Sequence, residues 1–356
     1  MAATAGVATL GGALLLAATV CLTSGCSNWG YYAQSVSGHL AIVGAAKPVS
    51  DWVDDVRTDS RLRERLLLSQ RIRDFATQEL REPDNASYRR YADLHRGAAI
   101  WNVVATGPLS LELKTWCFPV VGCVGYRGYY EQSEAERYAM SLREQGLEVS
   151  VYGVPAYSTL GKLPGDFFAD PLLNTFVYYT QGELARLIFH ELAHQIAYAK
   201  GDTEFNESFA TAVERIGAAR WLKDHADDQA QAEFNRDEAR RADFRALTAR
   251  YRTRLELVYR SDRPDPEKLL DKLSVMAQLR DDYDTLKRER WGGFPGYDGW
   301  IARANNASFG VLAAYTNLAP NFERLFDRLG GDFPSFYAEV QRLAALKSTE
   351  RRLALP

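Results

Sequence analysis

Apolar residues recur at helical spacing through most of this chain, while period-two alternation is confined to two short runs. Between Arg57 and Leu80 the apolar stations are Leu62, Leu66, Ile72, Phe75 and Leu80, which predicts an amphipathic helix closed by the loop around Pro83-Asp84-Asn85. Glu183 to Ala199 repeats the pattern with Leu184, Leu187 and Ile188 as its buried stripe. Thr180 and Glu183 are spaced there for a capping box, and Gly201 is placed to end the last turn. A third pattern, Phe205, Phe209, Val213 and Ile216, runs towards Leu222. The chain then becomes charge-rich. Phe244, Leu247, Tyr251, Leu255 and Val258 mark one stripe, and Leu269, Leu273, Met276, Leu279, Tyr283 and Leu286 mark another. With Ser261 to Pro266 as the turn, residues 223–290 read as a charged helical hairpin. Its charges are most simply solvated faces; an interaction arm is the alternative. Trp291 to Gly299 is a Gly-rich aromatic loop that either covers a cleft or joins helices. Asn305 to Leu318 and Asn321 to Leu346 then supply C-terminal helices, within 291–356, that pack on the core.

The strand-like runs are Ile100 to Ala105 and Leu147 to Tyr152, and between them Ser133 and Glu136 cap a helix that Gly146 closes. A small sheet followed by paired helices predicts a predominantly helical α+β fold: a core over 26–222, with the hairpin inserted or appended.

Residues 2–25 carry no charge and hold an apolar core from Ala13 to Leu22, too short for a membrane-spanning helix, so 1–25 read as an export signal. Thr23-Ser24-Gly25-Cys26 resembles a bacterial lipobox, in which the signal is cut before Cys26 and that cysteine is lipidated; a plain secretory signal or an uncleaved anchor is the alternative. By analogy with lipoproteins of diderm bacteria, Ser27 would permit transfer to the outer membrane, so the expected place is the cell envelope, facing the periplasm. Of the four cysteines, Cys21 leaves with the signal and Cys26 carries the lipid. Cys117 and Cys123 remain as an even pair, for which a disulfide is the expected outcome of export. A net charge of −3 supplies no broad basic surface, which excludes general nucleic-acid binding and leaves the lipid as the membrane link.

The candidate chemistry lies at His190-Glu191-Leu192-Ala193-His194. On a helix, positions i and i+4 share a face, so the two imidazoles can reach one metal ion while Glu191 overlooks the same site. With 5 His in 356 residues, roughly 0.005 accidental matches to this pattern are expected, so chance is a poor account of it. A catalytic zinc takes three protein ligands and keeps one position open. The third ligand should come from the next helix, where Glu204, Glu207 and Glu214 compete; Glu214 lies two turns beyond Glu207 on the same face and suits the shell behind the ligands. Asp202 is another carboxylate that could hold the far nitrogen of a histidine, or serve only as a turn residue. His39, His95 and His225 have no partners at ligand spacing.

These residues resemble the gluzincin metallopeptidases, in which a His-Glu-x-x-His helix is followed by one carrying Asn-Glu-x-Phe-Ala, here Asn206 to Ala210. Longer strings, Trp116 to Cys123, Tyr126 to Tyr129, Ala156 to Gly161, Phe189 to Gln195 and Gly201 to Ala210, resemble a bacterial family of predicted aminopeptidases. The resemblance implies a zincin-like core, one Zn2+ held by His190, His194 and Glu207, Glu191 as general base, and a peptide substrate. Gluzincins commonly add a Tyr or His from outside the two helices to hold the oxyanion. Tyr157 is the first candidate, in a loop after a strand, with Tyr126, Arg127 and Tyr129 next. Asn306 is a further substrate candidate through the same family. The Gly-x-Met-Glu-Asn segment with which well-studied gluzincin aminopeptidases hold a free amine is absent from this sequence. The rival reading is a non-catalytic envelope lipoprotein with a structural metal site or a scaffold role.

Overall fold

The computed structural model describes residues 27–118, 122–156, 165–316 and 318–356. The expected signal, the lipidation candidate Cys26 and the oxyanion candidate Tyr157 lie outside the described residues.

In chain order the elements begin with helix α1 (Ser27–Ala45), strand β1 (Lys47–Pro48), and helices α2 (Val49–Asp54) and α3 (Ser60–Gln78). Asp59 starts α3 by accepting from the N–H groups of Arg61 and Leu62, so the helix begins three residues inside the stretch that the apolar pattern marked. Strands β2 (Arg90–Ala92), β3 (Ile100–Thr106), β4 (Trp116–Phe118), β5 (Gly122–Val124) and β6 (Arg127–Tyr129) follow, then helix α4 (Gln132–Arg143) and strands β7 (Glu148–Val154) and β8 (Leu172–Leu173). The rest is helical: α5 (Gln181–Ala193), α6 (Thr203–His225), α7 (Asp228–Arg260), α8 (Asp265–Arg290), α9 (Asp298–Ala302), α10 (Asn306–Thr316), α11 (Ala319–Arg328), α12 (Phe333–Ala344) and α13 (Ser348–Ala354). Among the described residues no helix is long and apolar enough to cross a membrane.

The sheet that shapes the site is antiparallel, in the order β6-β3-β7, with Trp101 opposite Tyr129 and Asn102 opposite Gly128. Side chains alternate across a strand, so its two faces are different. Val103, Ala105, Tyr129 and Val149 pack on Ala135, Ala139 and Leu142 of α4. Ile100, Asn102, Gly128 and Val154 turn the other way, into a cleft. The β4–β5 hairpin pairs Cys117 with Cys123, and the two are joined by a disulfide.

The main core buries Leu184, Ile188, Phe189 and Leu192 of α5 among Leu66 and Phe75 of α3, Phe205 and Phe209 of α6, and Phe322 and Phe336 of α11 and α12. Helices α7 and α8 have a core of their own, built on Phe244, Tyr251, Leu255, Met276, Leu279 and Tyr283. The aromatic loop joins that second core: Trp291 is buried in it and Tyr297 stacks on Phe244 at 4.0 Å.

Local expectations shift where tertiary partners intervene. Thr180 precedes α5 without a side-chain cap, the Glu183 carboxylate pairs with Arg241 of α7 (2.5 Å) instead of closing a capping box, and the helix stops at Ala193. Helix α4 likewise starts at Gln132 after Glu131, with no capping hydrogen bond from a side chain there. The expected helix from Asn321 to Leu346 is split into α11 and α12 at Gly330 and Gly331, both at φ +73, a left-handed conformation that glycine adopts without penalty. Asp332 then caps α12 by accepting from the Ser335 N–H. Helix α1 falls in a stretch to which the hydrophobic pattern assigned no element.

Candidate metal centre

Helix α5 carries His190, and His194 follows one turn later as its C-cap, so the rings meet edge to face with centroids 4.8 Å apart. Helix α6 brings Glu207 to them through a short, tied turn. Asn206 is the tie: its Oδ1 accepts from the Ala199 N–H at 2.7 Å and its Nδ2 donates to the Ala199 carbonyl at 2.9 Å. Gly201 supplies a left-handed residue in that turn, at φ +77. Asp202 caps α6 by accepting from the Phe205 N–H at 3.1 Å.

The three donor atoms converge. The Nε2 atoms of His190 and His194 lie 3.2 Å apart, and Glu207 Oε2 lies 3.2 Å from the first and 3.6 Å from the second. Tetrahedral ligands at about 2.0–2.1 Å from a zinc ion are separated by roughly 3.3 Å, so this donor set fits one such ion. Among the described residues, it is the one cluster of three or more His, Cys, Asp or Glu side chains with this closeness.

Behind the donors runs a line of buried charge. Glu214 Oε2 lies 2.9 Å from His190 Nδ1, fixing which nitrogen of that ring faces the cleft. Arg186 pairs with both Glu214 and Glu238. Burial pushes the Glu214 carboxyl up, but Arg186 and His190 outweigh it and hold it down to about 2. Burial works on Glu207 in the same way and is outweighed by the two imidazoles, which keep it below the usual carboxylate range. For Glu191 burial wins over the attraction of His190 and His194, and its carboxyl is raised. The His190 ring is raised despite burial, by Glu207 and Glu214. His194 Nδ1 is buried with no hydrogen-bond partner among the described residues.

The donors open onto a cleft of about 430 Å³, a volume suited to a small ligand or a few residues of peptide. Glu191, Tyr126, Asn206 and Tyr198 line it. Tyr126 keeps its proton strongly, through burial first and the negative charge of Glu207 next, so it is a hydrogen-bond donor at working pH. Arg127 and Tyr129, its expected companions, point to the opposite face of β6, as alternation along a strand requires. There Arg127 lies over the rings of Tyr31 (4.0 Å) and Tyr138 (4.6 Å).

Two other candidates are placed elsewhere. Besides capping α6, Asp202 pairs with Arg351 and with Arg352 (3.2 Å), which ties α13 to the start of α6 rather than holding a histidine. Asn306 is fully buried at the far end of the sheet. It donates to the Gly107 and Pro108 carbonyls and accepts from the Tyr259 hydroxyl at 2.7 Å. Glu204, a competitor of Glu207 as ligand, pairs with Arg352. His225 stacks on Trp221 at 4.2 Å, and His95 is exposed beside Asp93.

A family model described as "Putative aminopeptidase" matches residues 30–355. The chain belongs to that family. No curated protein and no solved structure gives a match. Membership in the aminopeptidase family points to peptidase activity, and its matched span includes the donor cluster, the cleft and the tied turn.

Arg186 and Tyr198 escaped the sequence reading although a signal existed: Arg186, His190, His194 and Tyr198 are spaced by four, one face of a helical pattern. Tyr31 and Ser35, also on the cleft, carry no such signal, because α1 is joined to the site only by tertiary packing.

Proposed function

We propose that this chain is a zinc-dependent peptidase of gluzincin type, built on a zincin-like core, that acts on peptide ends as an exported protein anchored through lipid on Cys26 in the bacterial envelope. The observation that carries the catalytic part is the convergence of His190 Nε2, His194 Nε2 and Glu207 Oε2 within 3.2 to 3.6 Å beside Glu191 in one cleft. A zinc ion held by these three side chains supplies Lewis acidity to the cleft.

The chain's own groups do the rest. Glu191, raised by burial, takes a proton from the attacking water as its oxygen bonds the carbonyl carbon, and delivers it to the amine nitrogen as the C–N bond breaks. Tyr126 stays protonated and can donate to the oxyanion from the cleft wall. Glu214, itself held ionised by Arg186, keeps His190 oriented.

The deciding test compares native chain, chelator-treated chain and the Glu191→Gln variant on a mixed peptide pool, with zinc content and thermal melting measured on each. Cleavage lost with chelation, restored by zinc, and absent in a folded, zinc-loaded Glu191→Gln variant is the expected result. Undiminished cleavage by that variant would remove Glu191 from the chemistry; chelation that only unfolds a chain inactive from the start would favour the structural-metal reading. Mass analysis for a lipid on Cys26, and its loss in Cys26→Ala, tests the anchor.

A further inference from the structure

Strand β6 is the outer strand of its sheet and borders the cleft. Such an edge offers unpaired N–H and C=O groups onto which an extended peptide can add as another strand. Beside the donor cluster, that would be the natural path for the interior of a long polypeptide.

Here the edge is already taken. Gln34 Nε2 donates to the Gly128 carbonyl at 3.3 Å, and the Tyr130 N–H donates to Gln34 Oε1 at 3.1 Å, so one carboxamide satisfies one acceptor and one donor that an added strand would use. The Tyr130 carbonyl accepts from Arg96. Helix α1 is seated firmly enough to hold this position: a Cβ added at Gly38, one turn beyond Gln34, would lie 2.1 Å from the Tyr130 ring. Any covering segment protects an edge strand. This one is also the wall of the cleft, since Tyr31 and Ser35 of α1 line it together with His190 and Glu191.

We propose that Gln34 is a specificity-determining residue that closes the β6 edge, so that the cleft accepts short peptides or the end of a chain and turns away the interior of a long one. The inference rests on the peptidase reading for its consequence and on the Gln34 contacts for its geometry.

The test uses the full chain with Gln34→Ala, and Gln34→Glu, which keeps the acceptor for the Tyr130 N–H and lacks the donor to Gly128. Each is given short and long pools of mixed-sequence peptides, with free and acetylated amino ends. Opening one donor and one acceptor should raise the ratio of long or acetylated to short free-ended cleavage by about tenfold in Gln34→Ala, and less in Gln34→Glu. Binding of the long acetylated pool is measured separately in the zinc-loaded Glu191→Gln background, with hydrogen exchange at the Tyr130 amide as the local readout. Faster exchange in Gln34→Ala alone, slowed again by the long peptide, is expected. Faster exchange with no change in either the cleavage ratio or the binding would overturn the inference, as would exchange at Tyr130 that ignores the substitution. If no peptide is cut by any variant while Gln34→Ala still tightens binding, the peptidase reading falls and the edge closure stands.

Discussion

Helices α5 and α6 form one packed pair and α7 and α8 another, and the two pairs treat charge in opposite ways. In the first, Arg186 and His194 are each 7% exposed, and the Glu207 and Glu214 side chains keep 14% and 13% of their surface. In the second, Arg263 and Glu267 keep 51% and 49%, and Arg250 and Asp282 keep 58% and 48%; Lys272, withdrawn against Glu148 of β7, is an exception there. A charge left in water costs little and says little; one withdrawn from water has to be offset by a partner or a metal ion. The density of charge along a sequence therefore marks a solvated face, and burial of a few charges marks where chemistry is housed.

The contrast is broken most severely at Glu191. On the proposed mechanism Glu191 is the general base, and removing one costs about 10² to 10⁴ in rate, so Glu191→Gln should lose that much turnover while binding added zinc and keeping its melting temperature. Steady-state rates with metal analysis on the same sample check both halves.

Next come the two carboxylates that the sequence could not separate. Glu214 touches His190, so Glu214→Gln should weaken zinc binding by about 10- to 100-fold, the usual cost of losing a partner of a metal-bound imidazole. Asp202 touches Arg351 and the Phe205 N–H instead, so Asp202→Asn should lower the melting temperature and leave zinc affinity in place. Competition with a zinc-binding dye, beside thermal melts, separates the two. Equal loss of affinity in both variants would mean that the line from Arg186 to His190 is not what orients the ring.

These two residues also show what the sequence could and could not convey. The spacing of His190, Glu191 and His194 is a local property of a helix, and Asn206-Glu207 at the start of the next helix is nearly as local, so the donor set was legible. Asp202 and Glu214 look alike in sequence, and only tertiary packing sends Asp202 to Arg351 of α13 while Glu214 reaches His190 as well as Arg186. Arg127 and Tyr129 share one short sequence string with Tyr126, yet alternation along β6 puts them on the face away from it, a distinction that becomes legible only when the strand is known. The apolar spacing carried across Gly330 and Gly331 because a single helix and two helices bury the same stripe. Helix α1 has only mild apolar character, and its place at the cleft is set by contacts with residues nearly a hundred positions away.

A third break lies behind the site. Glu82 is 3% exposed and neither of its oxygens has a hydrogen-bond partner among the described residues; burial raises its carboxyl well above the ordinary range, against the pull of Arg73 and His190. Its raised value means that the folded chain holds this proton while the unfolded chain releases it near the usual carboxylate pKa. Its contribution is therefore fully present below that pH and declines as pH rises through the folded value. Glu82→Gln, neutral at every pH, should then stabilise the fold by about 1 kcal/mol at neutral pH, with the gain vanishing as pH falls below the ordinary carboxylate pKa. Denaturant melts across that range check the sign. A gain that grows on acidification would show that Glu82 is ionised and paired in solution.

The smallest effect is expected where charge is densest. Arg263 faces Glu267 and Asp271 at the turn of the α7–α8 hairpin, with about half of its side chain in water. The ion pair is screened, and the side chain gives up rotamer freedom to form it, so Arg263→Ala should leave the melting curve, the zinc content and the turnover where they were. The same change at Arg186, which bridges α5, α6 and α7 from a buried position, leaves Glu214 with His190 and Glu238 with Arg241 but without the guanidinium between them, and should be felt in all three measurements. If Arg263→Ala instead abolished turnover while the fold and the zinc persisted, the exposed charges of the hairpin would have to reach the reaction by way of a bound partner, and the division between solvated and withdrawn charge would fail at its outer edge.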